Sequence, residues 1–359
     1  EPRTRPLLHE PRLVDQLDPD NLSRRSMSTW IWVAVLLAAV FAAEWGSDHL
    51  AEPLRKLRKQ WGLSAAAGGS LIGIATASPE VGVNVTSAVR GVTDIGLGAM
   101  LGSTAIGIPA LVSVGYLATR RRDIPDDPGH QQHLREHLLR VDPKAATVQA
   151  LPYLGILALA ALLILPAPWQ GLQPIDGGVL LAAYVAYAAQ AFFRGREKPE
   201  QVEWSRRGIW MAVAGVGVLA LGAYFTVIST QNLVQAFGIS PIIGGLFITA
   251  PVAALPEIFA SWKVSRSGQI TPALTNIIGD HAMTMTVGFL PLALVGTQIG
   301  NFRLVWVSFV FVALMPALYA AFVRWGGSES GFRRWQVLSL VGVYATYVAV
   351  VVVWVLELV

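Results

Sequence analysis

Ten long apolar runs, separated by polar stretches, set the pattern of this chain. They fall at about 29–47, 64–89, 93–118, 147–166, 176–194, 208–229, 239–263, 270–297, 302–323 and 336–357. About 20 apolar residues in a helix cross the hydrocarbon core of a bilayer, so each run predicts a membrane-spanning helix. Trp30, Trp32 and Trp45 stand near the ends of the first run, where indoles favour the membrane interface. Residues 1–28 are polar and hold Arg3, Arg5, Arg12, Arg24 and Arg25. No apolar core precedes a cleavage site there, so the stretch does not read as a signal peptide. It predicts a tail that is disordered or lies on the membrane surface. Arg55, Lys56, Arg58 and Lys59 follow the first run and predict a short amphipathic surface helix.

Two runs break the apolar pattern in the same way. Ala77-Ser78-Pro79-Glu80-Val81 lies in the second run and Ala254-Leu255-Pro256-Glu257-Ile258 in the seventh. A carboxylate at membrane depth is costly and marks a functional site by default. A proline there frees a backbone carbonyl, which is tolerated where it lines a cavity or finds a partner. The match continues downstream. Gly102 follows Glu80, and Gly279 follows Glu257, by the same 22 residues. Glu257 stands 177 positions after Glu80, and at that offset Gly91 falls on Gly268. This is an internal repeat. It predicts a tail at 1–28, a five-helix unit at 29–194 with its motif at 70–108, a linker at 195–207, and a second five-helix unit at 208–359 with its motif at 247–285.

Composition agrees with an all-α polytopic membrane protein. Of 359 residues, 53% are hydrophobic and 14% charged, against roughly 25% charged in soluble domains. Cysteine is absent, which excludes a disulfide framework, a thiolate metal site and a cysteine nucleophile. The net charge of +4 is small. Its basic residues cluster between the runs, so nothing points to nucleic acid. The loops after odd-numbered spans hold 20 Lys and Arg, those after even-numbered spans and the C-terminal end hold 2, and the tail holds 5. By the positive-inside rule the odd loops are cytoplasmic and both termini lie outside. The tail's arginines dissent, partly offset by its acids. The expected location is the plasma (inner) membrane. Five spans per unit is an odd number, so the second unit enters with opposite polarity and the repeats are inverted. Inverted repeats with broken helices at the midplane build many secondary transporters.

The polar residues near each Pro-Glu suggest what it binds. Thr76 precedes Glu80 by four residues and Asn84 follows it by four, so a helix would stack them on one face. Carboxylate, hydroxyl and freed carbonyl oxygens near Thr76 and Ala75 suit a hard cation such as calcium or sodium rather than zinc. Glu257 supplies the partner carboxylate, flanked by Pro251 and Pro256. Asn276 and Asp280 share a helical face, with His281 and Thr284 near it. Their first-copy equivalents are Ala99 and Ser103, so the second repeat offers more polar ligands. The bland alternatives are a protonated glutamic acid bonded to a neighbour, and an Asp280 or His281 that sits in a watery vestibule or pairs with the other. In the long loop at about 119–145, His130, His133 and His137 would share one helical face. That reads as a solvated face, with a metal site as the sharper alternative.

These residues resemble the calcium/cation antiporter superfamily, which includes sodium/calcium exchangers. Its two inverted repeats each carry a Gly-Thr-Ser-Leu-Pro-Glu-like break and a Gly-Asn-(x)2-Gly-Ser-Asn-like helix. Residues 75–80 and 252–257 fall on the first motif, and 98–104 and 275–281 on the second. The resemblance implies ten transmembrane helices as two inverted five-helix repeats, and a secondary antiporter exchanging Ca2+ or a related cation for H+ or Na+ by alternating access. Glu80 and Glu257 would hold the cation, with Asn276, Thr76, Asp280, Ser103 and Asn84 as further ligands. No cofactor is implied; the partners are inorganic cations and the lipid bilayer. Departures from the pattern matter. The family's serine after threonine is Ala77 and Ala254, its first asparagine is Ala99, and the hydroxyl positions one turn earlier are Ile95 and Pro272. Several sodium sites are therefore incomplete, while Asp280 adds an acid able to take a proton. A Na+/H+ antiporter without calcium transport is the alternative. An intramembrane hydrolase is the reading from another class, against which stand the absence of an HExxH helix and of a GxSxG turn.

Overall fold

The computed structural model describes residues 19–63, 65–120, 133–141, 143, 145–166, 170–194, 198–266, 270–325 and 330–357. Each of the ten apolar runs coincides with helix. The first run lies in α1 (Pro19–Gln60), which passes through Pro53 without interruption. The second is divided into α2 (Ala65–Thr76) and α3 (Ser78–Val89), and the third is α4 (Thr93–Ala118). A π-helical turn, Ala145–Ala150, leads into α5 (Leu151–Ile164), followed by α6 (Pro174–Arg194) and α7 (Arg206–Phe237). The seventh run is α8 (Pro241–Arg266), with a π turn at Gly245–Thr249. Then come α9 (Ile270–Thr284), α10 (Phe289–Leu294), α11 (Phe302–Trp325) and α12 (Arg334–Ala349, continued by a π turn at Val350–Val355).

Two expectations change at the N-terminus. Residues 1–18 lie outside the described residues, but from Pro19 onward the expected tail is already helical and runs into the first span. The basic segment Arg55–Lys59 is the last turns of α1 rather than a separate surface helix.

Seven helices among the described residues are long and apolar enough to cross a membrane. Their burial shows what surrounds them. The apolar window of α4 is 89% buried, while those of α7 and α12 are 33% and 22% buried. A helix that is apolar on the faces it turns outward needs an apolar solvent, and this all-α protein is a membrane protein. Helix α4 is the central element, and the main apolar core collects around it from α5, α6 and α9 to α12.

Helix contacts are made through small residues, as expected where lipid tails are as apolar as side chains and close van der Waals packing has to hold helices together. Helix α1 lies along α7, and a Cβ at Gly222 would stand 2.6 Å from the Ala39 carbonyl. Helix α4 lies against α8. A Cβ at Gly98 would run into the Ile242 carbonyl, and one at Gly245 into the Ile95 carbonyl. Two further contacts join corresponding positions of the repeat. Gly102 meets Ala250 where α4 crosses α8, and Gly279 meets Gly73 where α9 crosses α2. Each residue of the first pair is 177 positions from its counterpart in the second.

The connections pair by parity. The one after span one touches the one after span five, through Lys59–Glu200 at 3.0 Å and Trp204 Nε1 donating to Gln60 at 3.2 Å. Those after spans three and nine form an antiparallel ribbon of β1 (Leu138–Arg140) and β2 (Gly331–Arg333). Among even connections, Gly171 bridges Gln298, Arg90 donates to Gln231 at 3.0 Å, and Arg303 pairs with Glu357 at 3.4 Å. The ribbon also corrects the reading of the histidine loop. His130 lies outside the described residues. His133 is buried edge-on to the Tyr116 ring, and His137 Nδ1 lies 3.3 Å from the Tyr116 hydroxyl. His137 adopts a positive φ of 56° and the chain turns there into β1, so the histidines do not share one solvated helical face.

The break between α2 and α3 has a local cause. Pro79 stands in the first turn of α3, where proline fits, but it cannot donate to the carbonyl four residues back. That carbonyl belongs to Ala75, and the buried Ser47 hydroxyl of α1 donates to it at 2.7 Å. In the second copy Pro256 stays inside an unbroken helix, and the irregularity lies upstream in the π turn. The expected pair of breaks is thus a turn at Ala77 in one copy and a π turn at Gly245–Thr249 in the other.

Ser47→Ala leaves the Ala75 carbonyl without its donor and is expected to cost about 1 kcal/mol. It should lower the thermal unfolding midpoint in detergent, and an unchanged midpoint would show that the bond is not needed. Gly98→Val forces α4 away from α8 and should cost about 1–3 kcal/mol as overpacking, measured in the same way.

Candidate functional site

The interior between α1, α3, α4, α7 and α8 holds a small cavity of about 30 Å3. Each helix gives it a polar group. Glu44 comes from α1, Glu80 and Asn84 from α3, Ser103 from α4, Thr226 from α7, and Thr249 and Glu257 from α8. No Lys, Arg or His lines it among the described residues. From α9, Asp280 reaches the two glutamates. Glu80, Glu257 and Asp280 each present a carboxylate oxygen, and the three oxygens lie within 4.8 Å of one another. Glu80 is 9% exposed and Asp280 4%. Glu80 Oε2 and Asp280 Oδ1 have no hydrogen-bond partner. Buried acids without a counter-charge are expensive, so the arrangement is one that positive charge would relieve.

The helices that hold these groups explain their convergence. The turn at Ala77 starts a new helix, and Glu80 sits in its first turn. The unpaired backbone N–H groups of such a turn favour an acidic side chain. Gly102 and Gly73 let α4 and α2 approach α8 and α9 closely, which draws Glu257 and Asp280 inward.

The other expected residues divide into three groups. Thr76, the last residue of α2, makes a side-chain hydrogen bond to Asp280 and lies 3.4 Å from the Gly73 carbonyl. Asn84 lines the cavity, but its amide is committed, with Nδ2 donating to the Gly288 carbonyl at 2.8 Å. Ser103 also lines it while donating to the Met100 carbonyl at 3.2 Å. Asn276 is half-buried one turn before Asp280 and does not line the cavity. The Ala75 carbonyl, expected as a free ligand, is taken by Ser47. His281 is buried with its ring beside Gly107 and 6.2 Å from the Tyr153 ring, away from the three carboxylates.

The sequence reading missed Glu44, Thr226 and Thr249. The Thr249 hydroxyl lies 2.6 Å from that of Thr230. Glu44 stands beside Trp45 near the end of an apolar run, where it reads as an interfacial acid. Its one distinguishing signal was an uncompensated acid inside the run.

Comparison with known proteins agrees with this architecture. Residues 31–193 and 207–353 match the profile of a family described as "Sodium/calcium exchanger protein". A putative antiporter CaxA from Alkalimonas amylolytica is 26% identical over 246 residues, covering 66% of this chain and 72% of that protein. The sodium-calcium exchanger NCX_Mj soaked with 2.5 mM Na+ and 10 mM Sr2+ superposes with a TM-score of 0.60 at 20% identity, covering 89% of this chain and 99% of that one. The same exchanger soaked with zero Na+ and Ca2+ gives a TM-score of 0.59 at 20% identity, with the same coverage. The family profile spans most of the sequence on both sides of the linker, and the chain belongs to the sodium/calcium exchanger protein family as an integral membrane cation antiporter rather than an enzyme.

Proposed function

We propose that the chain exchanges Ca2+, or a related hard cation, for H+ or Na+ by alternating access, with Glu80, Glu257 and Asp280 as the central ligands. The convergence of three carboxylate oxygens within 4.8 Å carries this reading. Calcium takes oxygen ligands at about 2.4 Å, so two ligands on opposite sides of it stand roughly 4.8 Å apart. The oxygens therefore span a distance that one such ion can bridge. Asn84, Ser103 and the Thr249 hydroxyl lie around the same cavity and can add neutral oxygen ligands as it changes shape. Thr76 orients Asp280 through its hydrogen bond.

The exchange follows from charge. Three acids in an apolar interior need positive charge in each resting state. When the divalent cation leaves, protons or monovalent cations have to replace it. Alternating access then requires that the cavity open to one side at a time. The close α1–α7 and α4–α8 contacts, made through small residues, give smooth surfaces on which such helices can slide. Ten spans in two inverted halves are the frame we propose for this motion. The parity of the loop contacts and the paired Gly102–Ala250 and Gly73–Gly279 crossings support that frame. The loop charges support odd-numbered loops on the cytoplasmic side and both termini outside, in the plasma (inner) membrane.

Coupling to protons rests on a specific observation. Asp280 joins the glutamates, while Ala77, Ala254 and Ala99 replace side chains with oxygen ligands. The site thus holds more acid and less neutral oxygen than the sodium-coupled pattern. The second reading, Na+/H+ exchange without calcium, keeps the same acids and differs in the ion that crosses. Flux into proteoliposomes with Ca2+, Na+ and pH gradients varied separately distinguishes the two. Calcium movement driven by a pH or sodium gradient supports the first, and sodium–proton exchange with no calcium movement supports the second.

Glu80→Gln and Glu257→Gln should each weaken cation binding about 30-fold or more, the equivalent of roughly 2 kcal/mol for a buried charge pair, and abolish exchange. Calcium should raise the thermal midpoint of the unaltered protein, because it binds the folded state, and should fail to raise that of either variant. Normal flux in either variant would sink the assignment.

A further inference from the structure

Glu44 lines the cavity from α1 and is half-buried. Its charged neighbours are Glu80, Glu257 and Asp280 on the inner side and Asp48 one turn further along α1. Neither Glu44 nor Asp48 has a hydrogen bond or ion pair among the described residues, and Asp48 is exposed. One more turn on, Glu52 is balanced by Lys56 at 3.1 Å. The unbalanced negative charge on this stretch of α1 therefore begins at exposed Asp48 and leads inward through Glu44. At its inner end stands Glu80, 9% exposed, whose Oε2 has no partner. Acids with no structural partner that step from solvent to a buried, unsatisfied carboxylate are not explained by folding, which they oppose through repulsion.

We propose that Glu44 and Asp48 form an access relay for hard divalent cations, drawing them from the side on which α1 runs on toward Arg55–Lys59 and handing them to Glu80. The relay rests on the cation-antiport reading and adds to it a sidedness that the central site alone does not have. Asp48 acts at the mouth, through long-range attraction in a high dielectric. Glu44 acts at closer range, inside the cavity wall, where the same charge is felt more strongly. Both raise the local cation concentration on one side, and neither is required for release to the other.

The test uses the full chain in membrane vesicles of known orientation and measures initial calcium uptake against calcium concentration from each side. Glu44→Gln should raise the half-saturating calcium concentration roughly tenfold from the Asp48 side, with a smaller shift from the opposite side. Asp48→Asn should raise it about threefold from the same side only, and added monovalent salt should shrink that difference, since an exposed charge is screened. Glu44→Asp keeps the charge and should stay close to the unaltered protein. Unchanged half-saturation in Glu44→Gln with normal flux would overturn the relay, as would equal shifts from both sides. Should Glu44→Gln fail to fold, Asp48→Asn decides, because its exposed side chain places no demand on packing. No calcium flux in the unaltered protein would instead overturn the calcium reading on which the relay rests, which keeps the two failures distinct.

Discussion

Carboxylates repel one another most where water is absent. Inside this bundle Glu80, Glu257 and Asp280 bring carboxylate oxygens together, no basic side chain lines the cavity among the described residues, and Glu80 Oε2 and Asp280 Oδ1 have no hydrogen-bond partner. Such a cluster opposes folding unless something positive resides in it, because water is not there to solvate it. The rest of the architecture has to hold the acids in place against that repulsion. It does so with backbone-level contacts rather than with counter-charges. Gly98 and Gly245 bring α4 close against α8, Gly73 and Gly279 bring α2 to α9, and Ser47 ties α1 to the helix break beside Glu80. An interior base would have made a more stable protein and a poorer cation site.

The same constraint explains why the halves are similar but not equivalent. The Gly102–Ala250 and Gly73–Gly279 crossings occupy matching positions, so the two halves pack on one plan. The backbone irregularity differs. Pro79 opens a turn whose freed carbonyl is answered by Ser47, whereas Pro256 is absorbed into a continuous helix and a π turn appears upstream. The third acid, Asp280, comes from one half alone. A site with three acids from two similar halves has a direction within it, and Glu44, again from one helix only, adds to that asymmetry.

Much of this was legible in the sequence because its signals are local. Apolar run length placed all ten helical segments, and the matched Pro-Glu and Gly spacings exposed the repeat. Glu80, Glu257 and Asp280 stood out because acids in apolar runs are rare. What escaped depends on tertiary contacts. Nothing near Pro79 announces Ser47, which lies 28 residues away. Asn276 and Asp280 share a helix one turn apart, yet neither belongs to the cavity wall, and Asp280 meets the glutamates only through the carboxylate cluster. Glu44 was hidden by its neighbour Trp45, whose preference for the interface disguised an inward-facing acid. The histidine loop was misjudged because strand pairing to residues nearly 200 positions later, such as Leu138 with Arg333, set its conformation.

The ribbon of β1 and β2 has a consequence for handling the protein. It fastens the connection that follows α4, the most enclosed of the seven long apolar helices, to the chain entering α12, the least enclosed. Its Leu139 and Phe332 are buried in the main apolar core, while Arg140 and Arg333 present exposed side chains. A binder raised against the ribbon would therefore hold the innermost helix by a surface handle. Such a reagent offers a grip for imaging a small membrane protein without touching the residues that line the carboxylate cavity.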